Sequence, residues 1–327
     1  MKAFKYYNAQ DLKDAVAVLS KPGDSRVLAG GTDILGDMKT RNTSPERLVN
    51  LKSIQGLDSI SAGSAGLKLG ALARLGDIAA NATVKAKYTG LAEAAESVGS
   101  PQLRNMGTLG GNLCQRPRCW YYRGPEYNCV RKGGGICYAV SGRNKYHCIL
   151  NGGPCFIVHP SDMAPMLMAL GASVTIATAK GTREVKLDDF FVLPETDPTV
   201  ETVLARGEVL TGVTVPAPAA GQKSHYLKFK ERESRDFALV GAAVVLDMEG
   251  HTVRKASLVL SGVSPAPYRA VEAEKVLSGK ELTGGLLEQA AEAALKDAAA
   301  LEENEYKIQL AKTILKRAVL RTAGVEV

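Results

Sequence analysis

What this chain lacks narrows its chemistry before any motif is read. No run of 18 apolar residues occurs, so no segment is long enough to cross a bilayer as a helix. There is no Cys-x-x-Cys knuckle, the usual source of thiolates for structural zinc, although six cysteines are present. Histidine is scarce, four in 327 residues, and no Ser/His/Asp, zinc-hydrolase or paired-carboxylate arrangement is found. No catalytic residue for substrate chemistry is therefore assigned. The opening residues, MKAFKYYNAQDLKDAV, lack the apolar stretch of a signal peptide. A cytoplasmic location is expected on that basis, with export alongside a signal-bearing partner left open. In a reducing compartment, clustered cysteines serve metals or redox chemistry more often than disulfides.

Cysteine is also absent from everything outside residues 114–155. Cys114, Cys119, Cys129, Cys137, Cys148 and Cys155 all lie there, with Arg116, Arg118, Arg123, Arg131, Lys132, Arg143, Lys145 and one acid, Glu126. The whole chain carries a net charge of +7, and nearly all of it sits in this stretch. The remainder is close to neutral, so a basic isoelectric point does not by itself argue for nucleic acid. Cys119, Cys129, Cys137 and Cys155 are widely spaced, which calls for a loop wrapped around a group rather than clips closing on one ion. Four thiolates from such a loop can ligate a [4Fe–4S] cluster, and neighbouring Lys and Arg would offset its negative charge. Zinc, or a metal-stabilised basic loop that binds nucleic acid with Trp120, Tyr121 and Tyr122 as stacking platforms, remain alternatives from residue chemistry alone. Cys114 and Cys148 read as small buried hydrophobes.

Elsewhere the pattern is that of a two- or three-lobed α+β protein. A short strand precedes a helix capped by Asp11, with Leu12, Ala15, Val16 and Leu19 on one face. A strand at 26–29, then Gly30-Gly31-Thr32-Asp33, then a helix over 34–41 would gather backbone N–H groups around one point, as a phosphate or pyrophosphate requires. The spacing is not GxGxxG, and Asp33 reads most simply as a helix N-cap. Gly107–Asn112 is a second glycine-rich stretch. It suits either close approach of backbone to a ligand or a tight turn with a left-handed Asn. Ser161 or Asp162 caps a helix whose buried face is Met163, Met166, Leu167 and Leu170. A hairpin (173–177 with 184–187) and a strand over 208–217 complete this part, and residues 216–221 form a linker. Strands at 226–230, 238–246 and 253–263 are followed by helices over 269–277, 283–299 and 305–321, packed on one sheet face.

Six segments in order, AGGTDIL (29–35), GTLGGNL (107–113), PSDMAPMLMALGA (160–172), EVLTGVTVP (208–216), KFKERESRDFALVGAA (228–243) and SGVSPAPYRA (261–270), carry a resemblance across the whole chain. The chain resembles the FAD-binding (medium) subunit of molybdenum hydroxylases of the xanthine dehydrogenase and carbon-monoxide dehydrogenase type. Its long cysteine loop looks like that of 4-hydroxybenzoyl-CoA reductases and periplasmic-type aldehyde oxidoreductases, which carry a [4Fe–4S] cluster in this subunit. The resemblance implies a vanillyl-alcohol-oxidase-type fold. Residues 1–57 and 58–218 would form two FAD-binding subdomains, the second holding the insertion at about 114–156, and 222–327 a small C-terminal α/β domain. It implies FAD contacts from Ala29, Gly30, Gly31, Thr32, Asp33 and Ile34, with further contacts from Thr108, Gly111 and Asn112. Asp162 would bind a hydroxyl of the FAD, Leu210 would pack near the adenine, and Lys228 would lie by the isoalloxazine. There Lys228 would stabilise charge developing on reduction; the other reading of it is a solvated strand lysine. The cluster ligands would be Cys119, Cys129, Cys137 and Cys155. The implied partners are a molybdenum-cofactor large subunit, a [2Fe–2S] small subunit and an external electron donor or acceptor, with no nucleic acid and no membrane span.

Overall fold

Parallel strands need a crossover between them, and the first fifty residues supply two. In the computed structural model, which describes residues 1–325, strands Lys5–Asn8, Arg47–Asn50 and Ser25–Leu28 form a parallel sheet with Arg47–Asn50 in the middle. Helix Leu12–Ser20 makes the first crossover, its N-terminus capped by the Asp11 side chain, which accepts from the Asp14 N–H. Helix Ile34–Lys39 lies in the second. The apolar core under this sheet is completed by Leu57, Leu72, Ala177 and Val209 from later in the chain.

The second sheet is antiparallel, in the order Ile60–Gly63, Gly66–Gly70, Val209–Pro216, Ser173–Thr178 and Gly181–Lys186. The third runs Tyr268–Arg269, Thr252–Ser261, Val240–Glu249 and Gln222–Phe229. Strand Val240–Glu249 is buried on both faces, and its alternation sorts them. Val240, Ala242, Val244 and Leu246 meet the C-terminal helices, while Ala243 and Val245 join the core of the preceding lobe. Helix Met163–Ala169 lies between the second and third sheets, and all seven of its residues are buried. A helix covered on both sides needs no polar face. Its three methionines pack in the core.

Two expected elements differ. The helix expected over 283–299 ends at Ala294, because the following backbone is recruited by the cysteine-rich stretch: the Ala299 N–H donates to the Ile149 carbonyl at 2.8 Å. The Gly107–Asn112 stretch is not a turn with a left-handed Asn. Leu109–Leu113 is a short helix capped by Thr108, whose Oγ1 accepts from the Gly111 N–H at 3.3 Å, and Asn112 is absent from the residues with positive φ.

Residues 114–156 contain only short helical turns, Trp120–Arg123 and Val130–Lys132. Long-range bonds hold the segment in place. Ile149 and Leu150 N–H both donate to the Val263 carbonyl, and Asn304 Nδ2 donates to the carbonyls of His147 and Cys148 at 3.1 Å each. Lys307, from the C-terminal helix, adds two more, to the carbonyls of Tyr146 and His147, and a third to that of Gly262 outside the segment.

Candidate functional site: two neighbouring cavities and a ring of thiols

The strand–Gly-Gly–helix passage and the second glycine stretch face one another across a cavity of about 460 Å³. Ala29, Gly30, Gly31, Thr32, Asp33, Ile34, Thr108, Gly111 and Leu210 all line it. The two glycines are required for different reasons. A Cβ on Gly30 would stand 2.0 Å from the Met106 carbonyl oxygen, so the two loops could not come together. Gly31 has φ +77°, a left-handed conformation that costs other residues energy. The second loop is anchored from below by Leu109 N–H to the Ala73 carbonyl and Gly110 N–H to the Ala71 carbonyl. Backbone groups from two loops thus border the same space, as an anionic cofactor phosphate requires.

Asp33 stands at the expected N-cap position, but its side chain makes no cap bond. Its carboxylate instead accepts from the Arg116 N–H at 2.7 Å, Arg118 at 3.0 Å and Arg123 at 2.9 Å. Asp37, one turn on and buried, is paired with Arg123. Burial raises the Asp37 carboxyl above its ordinary range, and Arg123 opposes that rise. Glu201, also buried, accepts from Arg116 and Arg131. Four of the loop's arginines, expected to offset the charge of a cluster, are paired with acids from outside the loop. Of the three aromatics offered as stacking platforms, Tyr121 and Tyr122 are buried and Trp120 is exposed.

A second cavity, of about 440 Å³, is lined by Asp162, Ser161 and His159 on one side and by Asp236, Phe237, Arg118 and Trp120 on the other. Lys228 is not solvated. Its Nζ donates to Asp162 at 2.8 Å, with the two side chains 4% and 5% exposed, and to the carbonyls of Ser97 and Asp236. Tyr226 Oη donates to the other Asp162 oxygen at 2.8 Å, and burial pushes the Tyr226 hydroxyl well above its usual pKa. Of the two candidate caps for the following helix, Ser161 serves: its Oγ accepts from the Ala164 N–H at 2.9 Å and donates to Asn112 Oδ1 at 2.5 Å. That bond ties the glycine loop to the Asp162 turn. Ser161→Ala is expected to lower stability by about 1 kcal/mol, read as a small drop in melting temperature. His159 belongs to the same turn, with Nδ1 accepting from the Ser161 N–H, and burial holds its pKa down to about 3, so it stays neutral.

Cys119, Cys129, Cys137 and Cys155 line one enclosed cavity with Tyr121, Tyr138, His147 and Ile157. It is narrow, with a volume of about 10 Å³. A hydrogen bond from Cys155 holds the Cys137 thiol below its usual pKa and pushes that of Cys155 up. Burial raises Cys119 to about 11, and His147 Nε2 lies 3.3 Å from its sulfur. Among the described residues no three His, Cys, Asp or Glu side chains are gathered as a single metal ion would need them. Cys119, His147 and Ile157 line both this cavity and the Asp162 cavity. Cys148 is fully buried, and burial pushes it up to about 12; Cys114 is raised likewise and borders the phosphate-loop cavity.

Residues 2–218 match the model of the FAD-binding domain in molybdopterin dehydrogenases, and residues 224–322 that of the CO dehydrogenase flavoprotein C-terminal domain. The chain belongs to this family of FAD-binding subunits. Within the family it is 35% identical to the FAD-binding subunit of an aldehyde oxidoreductase from Escherichia coli, over 96% of each chain. It is 31% identical to the carbon monoxide dehydrogenase medium chain of Afipia carboxidovorans, over 98% of this chain and 96% of that one. Among solved structures, the CO dehydrogenase of Oligotropha carboxidovorans superposes with a TM-score of 0.80 at 29% identity, covering 99% of both chains. The fold is accordingly the mixed α/β FAD-binding domain followed by a C-terminal domain, as expected. No helix among the described residues is long and apolar enough to cross a membrane.

Reasoning from sequence missed Asp37, Glu201 and Tyr226. A usable signal was available for the first two. A loop with seven bases and one acid needs carboxylates from elsewhere if it is to be buried.

Proposed function

We propose that the chain is the FAD- and [4Fe–4S]-bearing electron-relay subunit of a heteromeric molybdenum hydroxylase, working between the molybdenum and [2Fe–2S] subunits and an external redox partner. The observation that carries the cluster part is the meeting of Cys119, Cys129, Cys137 and Cys155, drawn from four turns of one loop, around one enclosed cavity. Zinc would need four sulfurs about 2.3 Å from a single point, a convergence absent among the described residues. A cluster instead takes one thiolate at each of four separated irons. When bound, the flavin and the cluster supply the electron transfer. The protein's part is to hold and insulate them. Ala29, Gly30, Gly31, Thr32, Asp33, Ile34, Thr108 and Gly111 would cradle the diphosphate, and Leu210 would pack on the adenine side. Asn112 would act through Ser161. Asp162, fixed by Lys228 and Tyr226, would present a carboxylate to a hydroxyl of the cofactor chain, with Lys228 beside the isoalloxazine. Cys119, on the wall shared by two cavities, would stand between the cluster site and the flavin site.

The division into residues 1–57, 58–218 and 222–327 is kept as part of this reading, supported by the sheets at 5–50, 60–216 and 222–281. The test is anaerobic isolation with iron, acid-labile sulfide and flavin analysis. About four iron and four sulfide per FAD are expected, and Cys129→Ser should remove most of the iron. Wild-type protein without acid-labile sulfide would leave the FAD assignment standing and overturn the cluster.

A further inference from the structure

The phosphate-loop cavity has an electrostatic problem that its own lobe does not solve. A dinucleotide diphosphate brings about two negative charges, yet Asp33 and Asp37 both line the cavity that would receive it. Among the described residues, every cation within 4.0 Å of these two carboxylates comes from the cysteine-rich insertion: Arg118 and Arg123 on Asp33, and Arg123 on Asp37. The insertion also supplies three of the four bases lining that cavity, Arg116, Arg131 and Lys132, with Arg26 the fourth. Without them the lining would be net acidic, and like charges in a partly buried site repel strongly.

We propose that the insertion is part of the flavin site: its arginines neutralise the acids of the phosphate loop so that the loop can accept a diphosphate. This rests on the FAD reading of the cavity and not on the cluster. Arg123 is the central group, because one guanidinium spans both carboxylates while its Nε donates to the Pro117 carbonyl at 2.8 Å. It is a positioning residue, acting through Asp33 and Asp37.

Two consequences separate charge balance from simple packing. Arg123→Gln leaves Asp37 without a cation and Asp33 with Arg118 alone beside the diphosphate, whereas Arg123→Gln with Asp37→Asn removes the charge left unpaired. The experiment is fluorimetric titration of flavin-stripped full-length protein with FAD at low and moderate salt, with iron and sulfide measured in parallel. Arg123→Gln is expected to raise the FAD dissociation constant at least tenfold at low salt and less at moderate salt, through screening, with iron unchanged. The double variant should return to within about threefold of wild type. Wild-type affinity in Arg123→Gln, or a double variant as weak as the single, would overturn the proposal. Should Arg123→Gln fail to fold, Arg118→Gln tests the same point from the half-exposed side, with a weakening of about threefold or more expected and wild-type affinity overturning it. A wild-type protein that binds no FAD would sink the flavin reading itself, which is a different result from wild-type binding untouched by these substitutions.

Discussion

Lys228→Met is expected to lower the melting temperature by roughly 10 °C, the consequence of stranding a charge that water cannot reach. Lys228 and Asp162 are each about 5% exposed or less and meet at 2.8 Å. Removing one member of such a pair typically costs about 3–5 kcal/mol, because the partner stays buried and uncompensated. A few kcal/mol corresponds to about that shift in a chain of this size. Tyr226 cannot rescue Asp162 alone, since a neutral hydroxyl donates one bond and supplies no charge. The double variant Lys228→Met with Asp162→Asn should recover at least half of the loss. Thermal denaturation of the three proteins decides the matter, and a single variant melting within about 2 °C of wild type would show that the pair contributes little.

Lys307→Met is the second large effect. Lys307 Nζ donates to the carbonyls of Tyr146 at 3.0 Å, His147 at 3.0 Å and Gly262 at 2.8 Å, and its side chain is fully buried. Methionine fills the space but takes the donor from the Tyr146 and Gly262 carbonyls and leaves His147 with Asn304 alone; a buried acceptor left unpaired costs about 1–3 kcal/mol before relaxation. The cysteine loop around His147 should loosen first, seen as faster amide exchange over residues 144–150. The same residue carries a pH signature. Burial pushes Lys307 down to about 7 in the folded chain, against about 10.4 unfolded. Between these values the unfolded chain binds a proton that the folded chain does not, so this group's contribution to stability grows as pH rises from 7 towards 10. The gap between wild type and Lys307→Met should therefore widen over that window. Three carbonyls around one Nζ favour the full ammonium, however, and a gap constant with pH would mean that they prevail over burial.

The parts of this protein that could be read from its sequence are those whose cause is local. Asp11 caps its helix because an acceptor is needed three residues upstream, and the Gly30–Gly31 pair announces a loop that must turn and be approached closely. Strand Val240–Glu249 shows its burial in an unbroken apolar run. What escaped reading depends on partners far away in the chain. Asp33 was legible as a cap, yet its true partners lie 83 and 90 residues further on, at Arg116 and Arg123. Lys228 was expected beside the isoalloxazine, with a solvated strand lysine as the other reading, and neither gave its partner Asp162. The helix expected to reach residue 299 stops at Ala294 because a loop 150 residues earlier claims its backbone. Periodicity carries no information about such pairings; charge imbalance carries a little, as the arginine excess of the insertion did.

The sharing of apolar residues beneath the first sheet bears on how the chain is made. Val49, Val16 and Leu19 pack with Ala177 and Val209, so the amino-terminal fifty residues have no complete interior of their own. During synthesis they must wait, exposed, until the ribosome has passed Val209, an interval of about 10–30 s at ordinary elongation rates. Over that time the nascent segment is a natural client for holding chaperones, and its interior closes only when strand Val209–Pro216 arrives.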